Sequence, residues 1–433
     1  SGNRSDEPMA VDNDDALDRL AGIADGFLLH DRPIATRIDD SVARIVAGAP
    51  MVLRRARGWV PDSLESPVAF PEPVLAVGGQ LKNTFCIGKA DRLTLGPHVG
   101  DLGELVAYED FEQMTARLER FLEVSPQVIA HDLHPDYDTT RYALEREARQ
   151  RLAVQHHHAH VAAVMAEHRL PGPVVGVAFD GTGWGDDGTA WGGEFLLARY
   201  GSYERLATFR PIPLAGGERA IEEPWRLALA VLDDAFEGKA PLESLEAFDP
   251  VPARDVENVR RMLGAGLQVT QAHGVGRVFD AAAMLLLKRP RSAYEAQLPM
   301  MLEQLAAAGE VDDAPWPFDV DLSHRPWTVD LRPMWRALTA GLLAGRPPAL
   351  LAARFHATLA AATGAVVRAL AVRDGVRPVA LAGGCFANTR LTAGVLQRLR
   401  DFDLVMPRRV PPGDGGLALG QAVVAAAKLR GAS

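Results

Sequence analysis

The segment Gln155-His156-His157-His158-Ala159-His160 opens an apolar run from Val161 to Met165, which predicts a helix with His156 and His160 four residues apart. Residues at that spacing share a helical face, so two imidazoles can grip one metal ion. A carboxylate beside flexible glycine backbone occurs twice further on, in Phe179-Asp180-Gly181-Thr182-Gly183-Trp184-Gly185 and in Pro411-Pro412-Gly413-Asp414-Gly415-Gly416. Imidazoles, carboxylates and turns able to admit phosphate point to a metal-assisted nucleotide site. Plainer readings stand beside this one: a His-rich helix start is often polar surface, Asp180 suits a turn, and Asp414 suits the cap of a helix beginning near Gly415.

The elements that must position these residues follow from patterning. The first sixty residues predict a helix over 14–26, a strand over 27–30 and a short element over 40–47. Pro67, Pro71 and Pro73 then mark a linker over 62–72. Strands at 74–79, 84–87 and 92–95 surround a Gly-containing turn. A similar arrangement recurs as a strand at 174–179, a turn over 180–188 and a strand at 193–197, so the chain echoes itself as two related lobes. A buried strand at 127–130 leads to the His helix. Residues 200–350 read as mostly helical, with Pro224 placed to start a helix. The end alternates: a helix over 350–372, a strand at 379–381, the turn Gly383-Gly384, a helix after Asn388, a strand at 404–406 and a final Ala-rich helix. That is an α/β signature, and ligands in such sheets favour the carboxyl ends of strands, where Gly383, Gly384 and Asn388 fall.

With 433 residues and a hydrophobic fraction of 48%, the chain fits two or three domains. A formal net charge of -10 argues against broad attraction to nucleic acid. The only cysteines are Cys86 and Cys385, which excludes a disulfide framework and a Cys-x-x-Cys zinc module and suits a reducing cytoplasm. The polar stretch Ser1-Gly2-Asn3-Arg4-Ser5-Asp6-Glu7 lacks the apolar core of a signal peptide, and no unbroken apolar run spans a bilayer. The expectation is a cytoplasmic protein without a membrane partner.

Taken in order, Leu81-Lys82-Asn83-Thr84-Phe85, His98-Val99-Gly100-Asp101-Leu102, His131-Asp132-Leu133-His134-Pro135-Asp136-Tyr137, the His segment, Asp180-Gly181-Thr182-Gly183, Trp191-Gly192-Gly193-Glu194-Phe195 and Gly383-Gly384-Cys385-Phe386-Ala387-Asn388 resemble the HypF carbamoyltransferases of nickel-iron hydrogenase maturation. The resemblance implies an α/β chain in which residues 73–433 form a TsaD-like two-lobed domain of the actin, heat-shock chaperone and sugar kinase superfamily. Residues 1–61 resemble the end of a YrdC-like domain: Ser1-Gly2-Asn3-Arg4-Ser5 matches its Ser-x-Asn turn, and Arg32-Pro33 with Asp39-Asp40-Ser41-Val42 match its last strands. The expectation is either a piece of a longer polypeptide or a shortened form that depends on another protein for activation.

In that family carbamoyl phosphate and ATP give carbamoyl-adenylate, and the TsaD-like domain moves the carbamoyl group to the C-terminal cysteine of HypE, for cyanide ligand synthesis. The resemblance thus implies a divalent cation on His156, His160, Asp180 and Asp414, with iron or zinc both suited to the donors and magnesium a further candidate. It implies a ribose contact at Gly276 and Asp280, adenosine contacts at Gly383, Gly384 and Asn388, and phosphate contacts at Lys82, Thr182 and Gly183. Cys385 has no evident partner base as a nucleophile, and His131, His134 and His356 either line the cleft or sit in the core. Rival readings are a small-molecule O-carbamoyltransferase, threonylcarbamoyl transfer to tRNA, a sugar kinase, and a non-catalytic subunit that binds HypE or nucleotide.

Overall fold

The computed structural model describes residues 2–3, 9–308, 314–376 and 378–431. Two β-sheets share one strand plan. In lobe one, Val74–Ala76 is the first strand, with Cys86–Lys89 and then Arg92–Leu95 added antiparallel on one side. Val128–Asp132 and then Gln150–Val154 lie parallel on the other side. Lobe two repeats this with Val174–Trp184 first, Ala190–Ala198 and Tyr203–Phe209 antiparallel on one side, and Val379–Ala382 and Leu404–Val405 parallel on the other. The common order of third, second, first, fourth and fifth strand turns the hairpin echo of the sequence into an architectural repeat. The inner parallel strands are unbroken apolar runs over most of their length, as burial on both faces requires.

Each lobe ends in a helix, and both helices lie between the sheets. His156–Glu167 follows lobe one but rests on the first strand of lobe two, where a Cβ on Gly176 would stand 2.5 Å from Val161. Leu417–Leu429 follows lobe two but rests on the strands of lobe one. Both are buried all round, which is the pattern of helices enclosed in a core. They cross at Gly420, where a Cβ would come 1.8 Å from the Ala159 carbonyl oxygen, so the crossing requires glycine. Next to it the buried Gln421 side chain accepts from the Gly78 N–H (2.8 Å) and donates to the Gly78 carbonyl (3.2 Å), tying the final helix to the first turn of lobe one.

The long connection between the third and fourth strands of lobe two holds helices including Trp225–Ala235, Val275–Leu287 and Arg332–Leu343. It is less purely helical than the sequence reading: Ile212–Ala215, Val269–Ala272, Asp319–Asp321 and Trp327–Asp330 form strands because each finds a partner edge. Pro348–Asp374 is long and apolar enough to cross a membrane by length and composition, but Arg354, His356 and Arg368 interrupt it, and it buries Leu351, Phe355, Leu359, Val366 and Leu370 in the core.

Of the segment 1–5 only Gly2 and Asn3 are among the described residues, so the Ser-x-Asn reading of Ser1, Arg4 and Ser5 lies outside them. Asn13–Leu20 is a helix capped by Asp12, and Val42–Val46 pairs with Ala49–Arg54. The expected strand over 27–30 does not form: no neighbouring strand offers it hydrogen bonds, and Leu28 is fully exposed. The hairpin, by contrast, docks on lobe two, with Val46 and Met51 in its core and Val52 N–H donating to the Arg408 carbonyl at 2.9 Å. Within the stretch 62–72, Leu64–Glu65 pairs with Arg92–Leu95.

Candidate metal centre

Gln155 starts the His helix, because its side-chain oxygen accepts the His158 N–H at 2.8 Å. His156 and His160 then fall on one face, as their spacing predicts, with their Nε2 atoms 3.2 Å apart. The turn before the final helix brings Asp414 Oδ1 to 3.5 Å from both nitrogens. The first strand of lobe two runs straight through the expected turn as far as Trp184, and from it Asp180 Oδ2 reaches within 3.0 Å of His160 Nε2. One donor atom from each of the four residues lies within 4.8 Å of the others. Asp414 also does not act as a helix cap, since its side chain accepts no N–H there.

This donor set fits a divalent cation. Asp180 Oδ2 is buried and stands close to His160 without an aligned hydrogen bond, so lone pairs converge where a cation would accept them. His156 presents the right atom: its Nδ1 lies 2.8 Å from Asp132 Oδ2, and that contact places the proton on Nδ1 and leaves the Nε2 lone pair facing Asp414. Asp132 is itself fixed, its other oxygen accepting the His134 N–H at 2.9 Å.

The same charges that would hold a cation also hold protons at these nitrogens. Burial opposes charge on His156, but Asp132 and Asp414 outweigh it and hold the ring well above the usual imidazole range. His160 is raised too, burial being overcome by Asp180 and Asp414. Burial would raise both carboxylates, yet the two histidines hold Asp180 and Asp414 below the usual range. His157, on the other side of the helix start, is pushed well below the usual value by burial and by His156. A pocket of opposed charges thus forms wherever a proton or a metal bridges it.

The glycines around the centre have specific reasons. A Cβ on Gly183 would lie 2.7 Å from His157 and 2.8 Å from His156, so Gly183 makes room for the rings. Gly383, at φ +92°, sits with its Cβ position 2.2 Å from the Phe179 carbonyl oxygen, and that of Gly384 is 3.3 Å from Asp180 Oδ1. The Gly383-Gly384 turn is therefore pressed against the strand that delivers Asp180.

The other sequence candidates are distributed around the two lobes. Gly276 lies against Gly181, a Cβ there coming 2.7 Å from the Gly181 Cα. Asp280 is buried and 3.1 Å from Arg277 Nη1, and burial pushes its carboxyl above the usual range against the pull of Arg277. Lys82 is half-exposed and pairs with Glu295; burial lowers its charge affinity, but Glu295 and Asp414 raise it on balance. Thr182 is exposed on the same strand as Asp180. Asn388 is engaged at both ends, its oxygen capping Thr389–Arg398 through the Leu391 N–H (2.9 Å) and its nitrogen 3.1 Å from His356 Nε2. His356 is a core residue, and burial pushes it down to about 4. Burial and then Asp180 drive the Cys385 thiol well above its usual value, which disfavours a thiolate nucleophile.

Two contributors, Asp132 and Arg277, escaped the sequence reading. Asp132 was visible only as part of a run; its neighbour His131 bonds to its backbone, and nothing local shows that its side chain reaches a histidine 24 positions on. Of the histidines expected in the cleft or the core, His134 stacks on Tyr137 at 4.1 Å and meets Trp184 edge-on at 5.0 Å.

The repeated sheets, the paired central helices and the interlobe cluster define a two-lobed α/β protein with imidazole and carboxylate donors gathered between its lobes. Residues 176–421 match the family described as carbamoyltransferase, Kae1-like domain, second subdomain; residues 70–167 match the HypF Kae1-like domain, and residues 1–56 match the Sua5, YciO and YrdC family described as telomere recombination. The chain belongs to the HypF carbamoyltransferase family. It is 44% identical to carbamoyltransferase HypF2 of Cupriavidus necator over 98% of its length and 55% of that protein. It is 42% identical to carbamoyltransferase HypF of Rhodobacter capsulatus, covering 99% of the chain and 57% of the relative. Full-length HypF in its phosphate- and nucleotide-bound form superposes with a TM-score of 0.94 at 35% identity, covering 99% of this chain and 67% of the other. The chain spans a little over half the length of these curated relatives.

Proposed function

We propose that this chain performs the carbamoyl-transfer step of hydrogenase maturation, taking the carbamoyl group from carbamoyl-adenylate to the C-terminal cysteine of HypE for cyanide ligand synthesis. The observation that carries the reading is the cluster of buried His156 and His160 with half-buried Asp180 and Asp414 in a chain of this family. A divalent cation on these residues, iron or zinc before magnesium by donor type, would supply Lewis-acid polarisation of a phosphoryl or carbamoyl oxygen. Asp132 holds His156 in the tautomer that can ligate. The acyl substitution forms a bond from the acceptor sulfur to the carbamoyl carbon and breaks the carbon–oxygen bond to phosphate; AMP leaves, and the thiol proton passes to a base.

The nucleotide reading places ribose near Asp280 and adenosine over the Gly383-Gly384 turn. Asn388 serves by capping the helix behind that turn, Gly183 by admitting the His rings, and Gly276 by letting its helix approach the Asp180 strand. Lys82 and Thr182 face the phosphates. The preceding step, in which carbamoyl phosphate and ATP yield the adenylate, belongs in this reading to a YrdC-like domain. We place the boundaries at 1–61 for the YrdC-like segment, 62–72 for the joining stretch and 73–433 for the Kae1-like domain, in a cytoplasmic protein with free Cys86 and Cys385.

The test mixes the protein with carbamoyl-adenylate and HypE and seeks a carbamoyl adduct on the terminal cysteine by mass spectrometry. An adduct that disappears in a His156→Ala/His160→Ala variant is expected. No adduct from folded, metal-loaded protein would sink the reading and favour a binding subunit.

A further inference from the structure

Arg277 is 6% exposed, yet its Nε and Nη1 have no hydrogen-bond partner. A guanidinium cannot shed its charge, so leaving its N–H groups orphaned in a core is costly. Its nearest counter-charge, Asp280 Oδ2 at 3.1 Å, is also without an aligned hydrogen bond. The pair therefore approaches without satisfying either member. The guanidinium points along the wall of the cleft: a Cβ on Gly181 would lie 2.8 Å from Nη2, and Gly181 is adjacent in sequence to the metal-centre residue Asp180.

A second feature acts in the same place. Arg277 stands in the first turn of Val275–Leu287, a helix with no side-chain cap and no acidic residue in that turn. Its start is pressed on the Asp180–Gly181 backbone, since a Cβ on Gly274 would come 2.0 Å from the Gly181 carbonyl oxygen. An uncapped helix start carries partial positive charge and free N–H groups, the arrangement that receives anions. A guanidinium with two orphaned donors beside it adds full positive charge and N–H groups suited to phosphate oxygens.

We propose that Arg277 and the start of its helix bind the phosphoryl group of the bound nucleotide beside Asp180, gripping the oxygens of the phosphate that leaves with AMP. This rests on the nucleotide reading above and adds to it the residue that holds the anion. Arg277 is then a binding residue in its own right.

The test is calorimetric titration of the full chain, wild type and Arg277→Gln, with adenosine, AMP and inorganic phosphate. The expected result is an AMP affinity lowered about ten- to hundredfold in the variant, the range of a charged hydrogen bond, with adenosine affinity unchanged. Equal losses for AMP and adenosine would overturn the proposal in favour of a role in supporting Asp280, and so would unchanged AMP affinity. If adenosine fails to bind the wild type, the nucleotide reading falls by itself, and inorganic phosphate decides for Arg277: weaker binding in the variant upholds it and equal binding overturns it. Should Arg277→Gln melt early, Arg277→Lys carries the same comparison, because it keeps the charge and loses the fork. Weaker AMP binding at constant adenosine affinity is again the expected result, and unchanged AMP affinity overturns the proposal.

Discussion

The two lobes share a strand plan but spend it differently. Lobe one joins its third and fourth strands through a single long helix, Leu105–Leu122, and its first strand is three residues long, ending before Gly78 and Gly79. Lobe two has an eleven-residue first strand that runs past its parallel partner Val379–Ala382 to deliver Asp180, and its third and fourth strands are separated by a connection whose helix Val275–Leu287 carries Arg277 and Asp280. Lobe one contributes His156, His160 and the supporting Asp132, all paired. Lobe two contributes the orphaned donors. The repeat therefore builds the framework, while the departures from it build the chemistry.

The sharpest way to break this comparison is at the crossing of the two central helices. Gly420→Ala would set a methyl against the Ala159 carbonyl, and we expect at least about 3 kcal/mol of lost stability in chemical denaturation, at the upper end of overpacking costs, with metal affinity falling alongside. Next comes the centre itself. His160→Ala should weaken metal binding, measured by chelator competition, by more than about a hundredfold, and Asp132→Ala by about ten- to hundredfold, since it removes only the support of a ligand. Equal effects of the two would erase the distinction between ligand and support.

A smaller effect separates the core of lobe two from its cleft. His356 donates Nδ1–H to the Ala352 carbonyl at 2.7 Å and is held neutral by burial, its value lowered to about 4. The unfolded ring binds a proton first on acidification, so this stability is present above the unfolded value of roughly 6.5 and is lost as pH falls from there towards the folded value. The expected cost at pH 5 is about 2 kcal/mol in thermal or denaturant unfolding, and a His356→Gln variant should show a shallower slope. Smallest is Lys82→Ala: its pair with Glu295 is half-exposed on both sides, so stability should change by under about 1 kcal/mol. A larger loss would show that the cleft mouth is structural.

Much of this was legible in the sequence because the signals are local. The i, i+4 spacing placed two imidazoles on one face, apolar runs marked the strands, and glycines flanked each carboxylate. The rest depends on distance along the chain. Asp132 reaches His156 only because two parallel strands and a helix bring them together, and nothing in the composition around Arg277 shows that its donors lack partners. The segment 27–30 misled because apolar residues predict a strand only where a neighbour supplies an edge. The turn expected after Phe179 became strand because Ala190–Ala198 continues to pair with it as far as Trp184.

The crossed placement of the terminal helices has a consequence for how the molecule can be made. Lobe one is covered by Leu417–Leu429, and lobe two by His156–Glu167. Cutting the chain between the repeats would leave each half with a bare apolar sheet. On the ribosome, the lobe synthesised first must therefore wait for Leu417–Leu429 to emerge before its own interior is sealed.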